Sequence, residues 1–518
     1  MLKFLLFDGD RPAKSCLLRN VHLIGSDGNA IWSDIRFKNG IIECEKRDAG
    51  TASLSLQCAV GDCGELTVQT CLLPDRETPY LLSLELARHQ LMVIYNKLEN
   101  WGMFDLGPDH AVIKRANRAR EYFIDALGRQ YDDPQAADKS ATECLSISID
   151  GSEELALAHA QTVVSWRRAN GDQVRLPIGC GVSVEHTSEG ILAALASNFD
   201  YVCLPVSWRQ LAPAEADYDW AATDNWFKWV AHAQLPVTAG PIISLEPHML
   251  PDWLYIWEHD FDTLRDLIYE HIETVVNRYG KYVNKWIVLS GLHINNHFTM
   301  SFDQIMDLSR MTTMLVKKIQ PHAKVLVEIR QPFGEYYATN AKSIPPLMYS
   351  DLLVQGAVDF DGLAVKVLMG QAMPGQYSRD LMQISHMLDQ FAMFSKPVAL
   401  SVAVPSEPVT QMMIAASDGD RPVDADSGYW RKPWSQQVQS HWLEALFKIV
   451  LSKPHVGSIG WHELVDHPNI ELPLSGLVTE AMQLKWAFRR LVAFRKNLAE
   501  NADGVEGTKA PATESAPQ

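Results

Sequence analysis

The chain has eight cysteines but no C-x-x-C pair; they lie scattered at Cys16, Cys44, Cys58, Cys63, Cys71, Cys144, Cys180 and Cys203. That scatter argues against a zinc or dithiol redox motif. Apolar settings such as Val202-Cys203-Leu204 predict buried, reduced thiols. A run of about 18 apolar residues is also missing, so no transmembrane helix and no membrane partner are expected. The opening stretch Met1-Leu2-Lys3-Phe4-Leu5-Leu6-Phe7 is cut short by Asp8 and Asp10 and is followed by no small-residue cleavage site. It reads as a first β-strand rather than a signal peptide, which with the reduced thiols points to a cytoplasmic protein. Basic charge is in short supply: 46 Lys and Arg stand against 63 Asp and Glu, a formal net charge of −17. Nothing is concentrated enough to neutralise a phosphate backbone, so nucleic acid is not an expected partner.

What is present is a globular composition, 47% hydrophobic and 21% charged, in a chain of 518 residues. That length exceeds one ordinary core and suits a barrel with an attached domain. Residues 1–77 alternate short apolar runs (Ala30 to Phe37, Glu65 to Thr70) with turn chemistry at Ser26-Asp27-Gly28-Asn29 and Lys38-Asn39-Gly40. The pattern predicts a small β-sandwich-like domain. Residues 78–175 read as a helical connector, with Leu82, Leu86, Leu91, Ile94 and Leu98 at helical spacing. Within it Asp150-Gly151-Ser152 is expected to open a new helix with Ser152 as N-cap. Residues 498–518 are small and polar and are expected to be disordered.

From 176 to 497, β-branched runs alternate with amphipathic helices. The runs are Ile178–Val184, Tyr201–Val206, Pro236–Ile243, Trp286–Leu289, Val325–Ile329, Gly362–Val367, Val398–Val404 and Val456–Trp461. One intervening segment, Asp262–Tyr279, puts Leu264, Leu267, Ile268, Ile272, Val275 and Val276 on one face, with Gly280 as its stop. Eight such units predict an α/β fold and fit a closed parallel (β/α)₈ barrel; length and spacing alone also permit a doubly wound parallel sheet.

Several segments resemble, in order, glycoside hydrolase family 10, the xylanase-like barrels. They are Val206-Ser207-Trp208-Arg209-Gln210-Leu211-Ala212-Pro213 with Asp217-Tyr218-Asp219-Trp220 and Asp224, then Leu250-Pro251-Asp252-Trp253-Leu254, Arg278-Tyr279-Gly280-Lys281 ahead of Trp286, and Gly460-Trp461 with Ser475-Gly476-Leu477. The resemblance spans roughly residues 178–495 and implies a carbohydrate ligand. It departs from the family where the chemistry lies. The acid/base glutamate expected at the end of strand four is Gly291, in Trp286-Ile287-Val288-Leu289-Ser290-Gly291, and the nucleophile expected on strand seven is Val402, in Leu400-Ser401-Val402-Ala403. No carboxylate lies between Lys285 and Phe302 or between Lys396 and Ser406. A retaining glycosidase needs two carboxyl groups about 5 Å apart, so the family mechanism is not expected to operate.

Polar residues at the predicted strand ends are the remaining site candidates. Glu246 and His248 follow strand three, and His293 follows strand four. Gln331-Pro332-Phe333-Gly334-Glu335 follows strand five, Arg379 follows strand six, and Trp461 and Glu463 end strand eight. Trp208, His248, His293, Gln331, Phe333, Arg379 and Trp461 are the expected binding residues. Aromatic faces stack on sugar rings, and amides and charges bond hydroxyls. Glu328, within an apolar run, is expected to pair with Lys366 on the next strand. His293 and His297 flank no carboxylate at the spacing of a metal motif; no metal and no cofactor are expected. Three functions compete: binding of a glycan or oligosaccharide without hydrolysis, hydrolysis by a relocated pair (Glu335 with Glu463 or Glu246), and a non-catalytic scaffold. The oligomeric state is left open.

Overall fold

The computed structural model describes residues 1–9, 11–47, 50–186, 188–298, 300–409 and 426–503. The eight apolar runs all form parallel strands: Ile178–Gly181, Tyr201–Leu204, Val237–Ala239, Lys285–Ser290, Lys324–Ile329, Gly362–Leu368, Val398–Ala403 and Val456–Trp461. The third is in two pieces. Val237–Ala239 pairs with the second and fourth strands, and Ile243–Ser244 resumes beside Leu289 and Ser290. The eighth strand pairs with the first, Ile459 opposite Ile178, so the sheet closes into a barrel. Gly362–Leu368 is buried at every position, because one set of side chains fills the lumen and the other meets the outer helices. The helix Phe261–Tyr279 shows how those helices are specified. Asp260 caps it by accepting from the Thr263 amide, and Leu264, Ile268, Ile272, Val275 and Val276 face the barrel. Gly280 does not stop the chain in a left-handed cap; it continues right-handed into a short 3₁₀ turn, Gly280–Tyr282.

Two further sheets lie outside the barrel, the first mixed and the second antiparallel. In one, Leu2–Leu5 lies between Ile41–Lys46 and Tyr80–Leu81, with Ser33–Lys38 beyond Ile41–Lys46. The other runs Tyr429–Trp430, Gly64–Gln69, Ala52–Ala59, His22–Gly25, Ala30–Ile31. Its outermost strand therefore comes from the chain that follows barrel strand seven. The close approach there falls on Gly64, at φ 106°, where a Cβ would sit 2.2 Å from the Tyr429 carbonyl oxygen.

The connector departs from expectation at Ser152. Residues 133–150 do not form a separate polar stretch: one helix runs from Pro134 to Ala169, capped by Asp133 with proline in its first turn. The Ser152 hydroxyl donates to the Ile149 carbonyl and accepts from Gln90. Gly151 lies against Arg115 and Ile94, leaving a Cβ only 3.4 Å from Arg115. The small residues let this helix pack on Leu82–Asn100 and Ala111–Arg129; they mark a helix crossing, not a helix start. The tail also begins later than expected, since the helix Trp486–Asp503 covers 498–503; residues 504–518 lie outside the described residues. Among the described residues no helix is long and apolar enough to cross a membrane, and all eight cysteines are free thiols.

Candidate functional site

An ion-pair network lies at the carboxyl ends of the barrel strands, the face where such barrels place their sites. Glu328, on strand five, accepts from the Ser290 hydroxyl at 2.5 Å, and the expected partner Lys366 stands 3.6 Å away on strand six. Lys366 also reaches Glu471 at 3.1 Å. Arg330, just past strand five, donates to the other oxygen of Glu471 at 2.6 Å. His462 Nε2 lies 3.1 Å from Glu471 Oε2, and Glu246 stands 3.9 Å from Arg330. Burial alone would raise the pKa of Glu471, but the charges of Arg330 and Lys366 outweigh it and hold the carboxyl well below the usual range. His248 edges this network with an exposed ring. The atoms crowded around it lower its pKa by desolvation, with Glu471 and Glu246 opposing and Arg330 reinforcing.

The expected site residues divide into three groups. Glu246 and His248 reach the mouth. Trp208, Trp461 and His293 are packed inside the protein. Trp208 stacks on His271 at 4.4 Å and meets Trp253 edge-on. Trp461 donates to the Ser475 carbonyl at 2.8 Å. His293 holds the Arg330 carbonyl at 3.0 Å and lies against Tyr349, and burial draws its pKa down to about 4. None of the three offers a face to a ligand.

The third group lies between the barrel and the N-terminal sheets. Glu335 accepts from Asn20 at 2.7 Å, from the Gly375 amide at 2.6 Å and from Arg379. Burial would raise its pKa; Arg379 foremost reverses this and keeps it ionised. Arg379 also bonds Gln383 and covers the Phe333 ring, its guanidinium carbon 4.0 Å from the centroid. Gln331 is wedged beneath Gly375. Glu463 is bonded to His467 at 2.6 Å, whose ring stacks on His186. Glu335, Glu463 and Glu246 serve three different sets of partners.

Sequence reasoning missed Glu471, Arg330 and His462 as parts of one cluster. Glu471 sits in the loop after strand eight within Asn469-Ile470-Glu471-Leu472, where no motif or periodicity distinguishes it from a surface carboxylate.

Gly291 ends strand four at φ 66°, and a Cβ there would stand 3.0 Å from Arg330 Cδ. Val402 is fully buried, in register with Val367 and Trp461. The space enclosed between Glu246, Gly291 and Asn296 is about 10 Å³, room for one water at most. Larger cavities lie elsewhere. One of about 700 Å³ separates the connector from the barrel near Asp150, Arg431 and His441. Another of about 710 Å³ lies in the N-terminal region near His89, Arg88 and Tyr131.

Strand order, closure and the charged mouth define a (β/α)₈ barrel protein. No family model and no curated protein matches the chain. Solved structures do. An endo-1,4-beta-xylanase from Caldicellulosiruptor owensensis is 16% identical, with a TM-score of 0.47, over 62% of this chain and 97% of that one. Xylanase 10B from Thermotoga maritima is 14% identical, with a TM-score of 0.47, over 65% and 98%. A GH10 endoxylanase retrieved from sugarcane soil metagenome is 14% identical, with a TM-score of 0.46, over 62% and 96%.

Proposed function

We propose that this protein is a family 10-like barrel that binds a glycan or oligosaccharide at its mouth and does not hydrolyse it by the two-carboxylate mechanism. The network around Glu471 carries this reading. Hydrolysis needs one carboxyl held protonated near neutral pH and a second held ionised. Here Glu471 is fixed in the ionised form between Arg330 and Lys366, and Glu328 is engaged by Ser290 and Lys366. Gly291 and Val402, at the positions the resemblance assigns to the catalytic pair, can neither donate a proton nor attack an anomeric carbon. Fixed donors and acceptors suit recognition of hydroxyls. Glu246 and His248 would meet the ligand from the solvent side, with Arg330 beside Glu246. The cytoplasmic location expected from the sequence fits an oligosaccharide or one of the cell's own glycans as the ligand.

Ligand-observed NMR with xylo-, cello- and manno-oligosaccharides tests both halves. Saturation transfer without new reducing-end signals is the expected result; new anomeric signals would overturn the non-hydrolytic half. The 10 Å³ enclosed at the mouth favours a second reading, a non-catalytic scaffold, and absence of saturation transfer from every sugar would select it.

A further inference from the structure

We infer, on the reading just given, that the preferred ligand of the barrel mouth is an amino sugar whose ammonium group pairs with Glu246. The argument is one of charge. Three carboxylates, Glu246, Glu328 and Glu471, face two permanent cations, Arg330 and Lys366. The cations are committed. Lys366 divides itself between Glu328 and Glu471, and Arg330 donates to Glu471 at 2.6 Å. His462 directs Nε2 at Glu471, so any proton it carries serves that carboxylate.

Glu246 is the least engaged of the three, sharing Arg330 with Glu471. Among the described residues its carboxylate makes no hydrogen bond, and its approach to Arg330, at 3.9 Å, is outside hydrogen-bond range. Its side chain is 16% exposed, against 4% for Glu328, and it borders the small space beside Gly291 and Asn296. The unspent charge of the mouth is thus a single negative one, placed where an incoming group can reach it. An anionic sugar would meet Glu246 as a like charge. A neutral sugar would offer only a hydroxyl. An ammonium would form a charge-assisted hydrogen bond and complete the balance.

Isothermal titration with three matched probes tests this: a β-1,4-linked glucosamine tetramer, cellotetraose and tetragalacturonate, at a pH where the sugar amine is protonated. Cellotetraose differs from the first probe only in carrying a hydroxyl where it carries the amine. The glucosamine tetramer is expected to bind roughly tenfold more tightly than cellotetraose, the difference between a charged and a neutral hydrogen bond, and tetragalacturonate not at all. Glu246→Gln keeps the shape and an acceptor, and is expected to abolish the preference. In the parent protein the preference is expected to shrink with added salt, a readout that does not depend on the variant folding. Equal affinity for the amino and neutral tetramers, or preference for the uronate, overturns this inference while leaving glycan binding intact. Failure of all three probes overturns it together with the glycan-binding reading.

Discussion

Arg330 Nη2 donates to Glu471 Oε1 at 2.6 Å, tying the end of barrel strand five to the loop that follows strand eight. The bond closes the mouth network across the barrel, and both partners are largely withdrawn from water. Removing the carboxylate would strand two buried cations. Glu471→Gln is therefore expected to lower the unfolding free energy by about 3 kcal/mol. A urea denaturation midpoint compared with that of Glu463→Gln checks it. Glu463 has one partner, His467, and greater exposure, so its loss is expected to be the smaller.

Acid lability follows from the buried histidines. His271 lies under Trp208, and burial lowers its pKa to about 3. A histidine depressed in the folded state contributes stability that is fully present above its unfolded pKa, about 6.5. That stability is lost as pH falls from there towards the folded value. The expected slope is about 1.4 kcal/mol per pH unit from this one group. Denaturation midpoints taken between neutral and mildly acid pH should show it, and the slope should be reduced in His271→Gln. Glu471, also depressed, acts lower: its contribution is full above about 4.3 and is lost progressively as pH falls from there towards its folded value.

Introducing glutamates at Gly291 and Val402 is not expected to create a hydrolase. Gly291→Glu places a side chain at φ 66°, with its Cβ against Arg330, at a cost of about 1–2 kcal/mol. Val402→Glu buries a carboxylate on a strand where valine is fully enclosed, costing about 3 kcal/mol or more. Reducing-end release from xylotetraose by the double variant should stay at the background rate.

The interface between barrel and N-terminal sheets depends on Arg379. Arg379→Ala leaves Glu335 with Asn20 and the Gly375 amide alone, and a loss of about 3 kcal/mol is expected. Limited proteolysis should then cut the N-terminal region sooner than in the parent protein. Mouth binding, which uses other residues, should persist where the variant remains folded.

The positions of all eight barrel strands were legible in the sequence because burial on both faces leaves an apolar signature that needs no partner to be read. The helix Phe261–Tyr279 was legible for the same local reason: its face repeats every three or four residues. Gly151 and Ser152 misled, because a small polar pair reads alike as a helix start and as a helix crossing, and only the neighbouring helices distinguish the two.

The site was far less legible. Trp208 and Trp461 matched family positions, yet both are enclosed by other aromatic rings or by backbone. Glu335 sat in a promising turn, yet Asn20, more than three hundred residues earlier, claims it. The sequence by itself determined the strand and helix alternation. Beyond the pair of Glu328 and Lys366, the tertiary structure decided which charges meet. Ion pairing depends on distances of a few ångströms, and closing the barrel brings Glu246, Arg330, Lys366, and the pair His462 and Glu471 from four separate segments into one cluster.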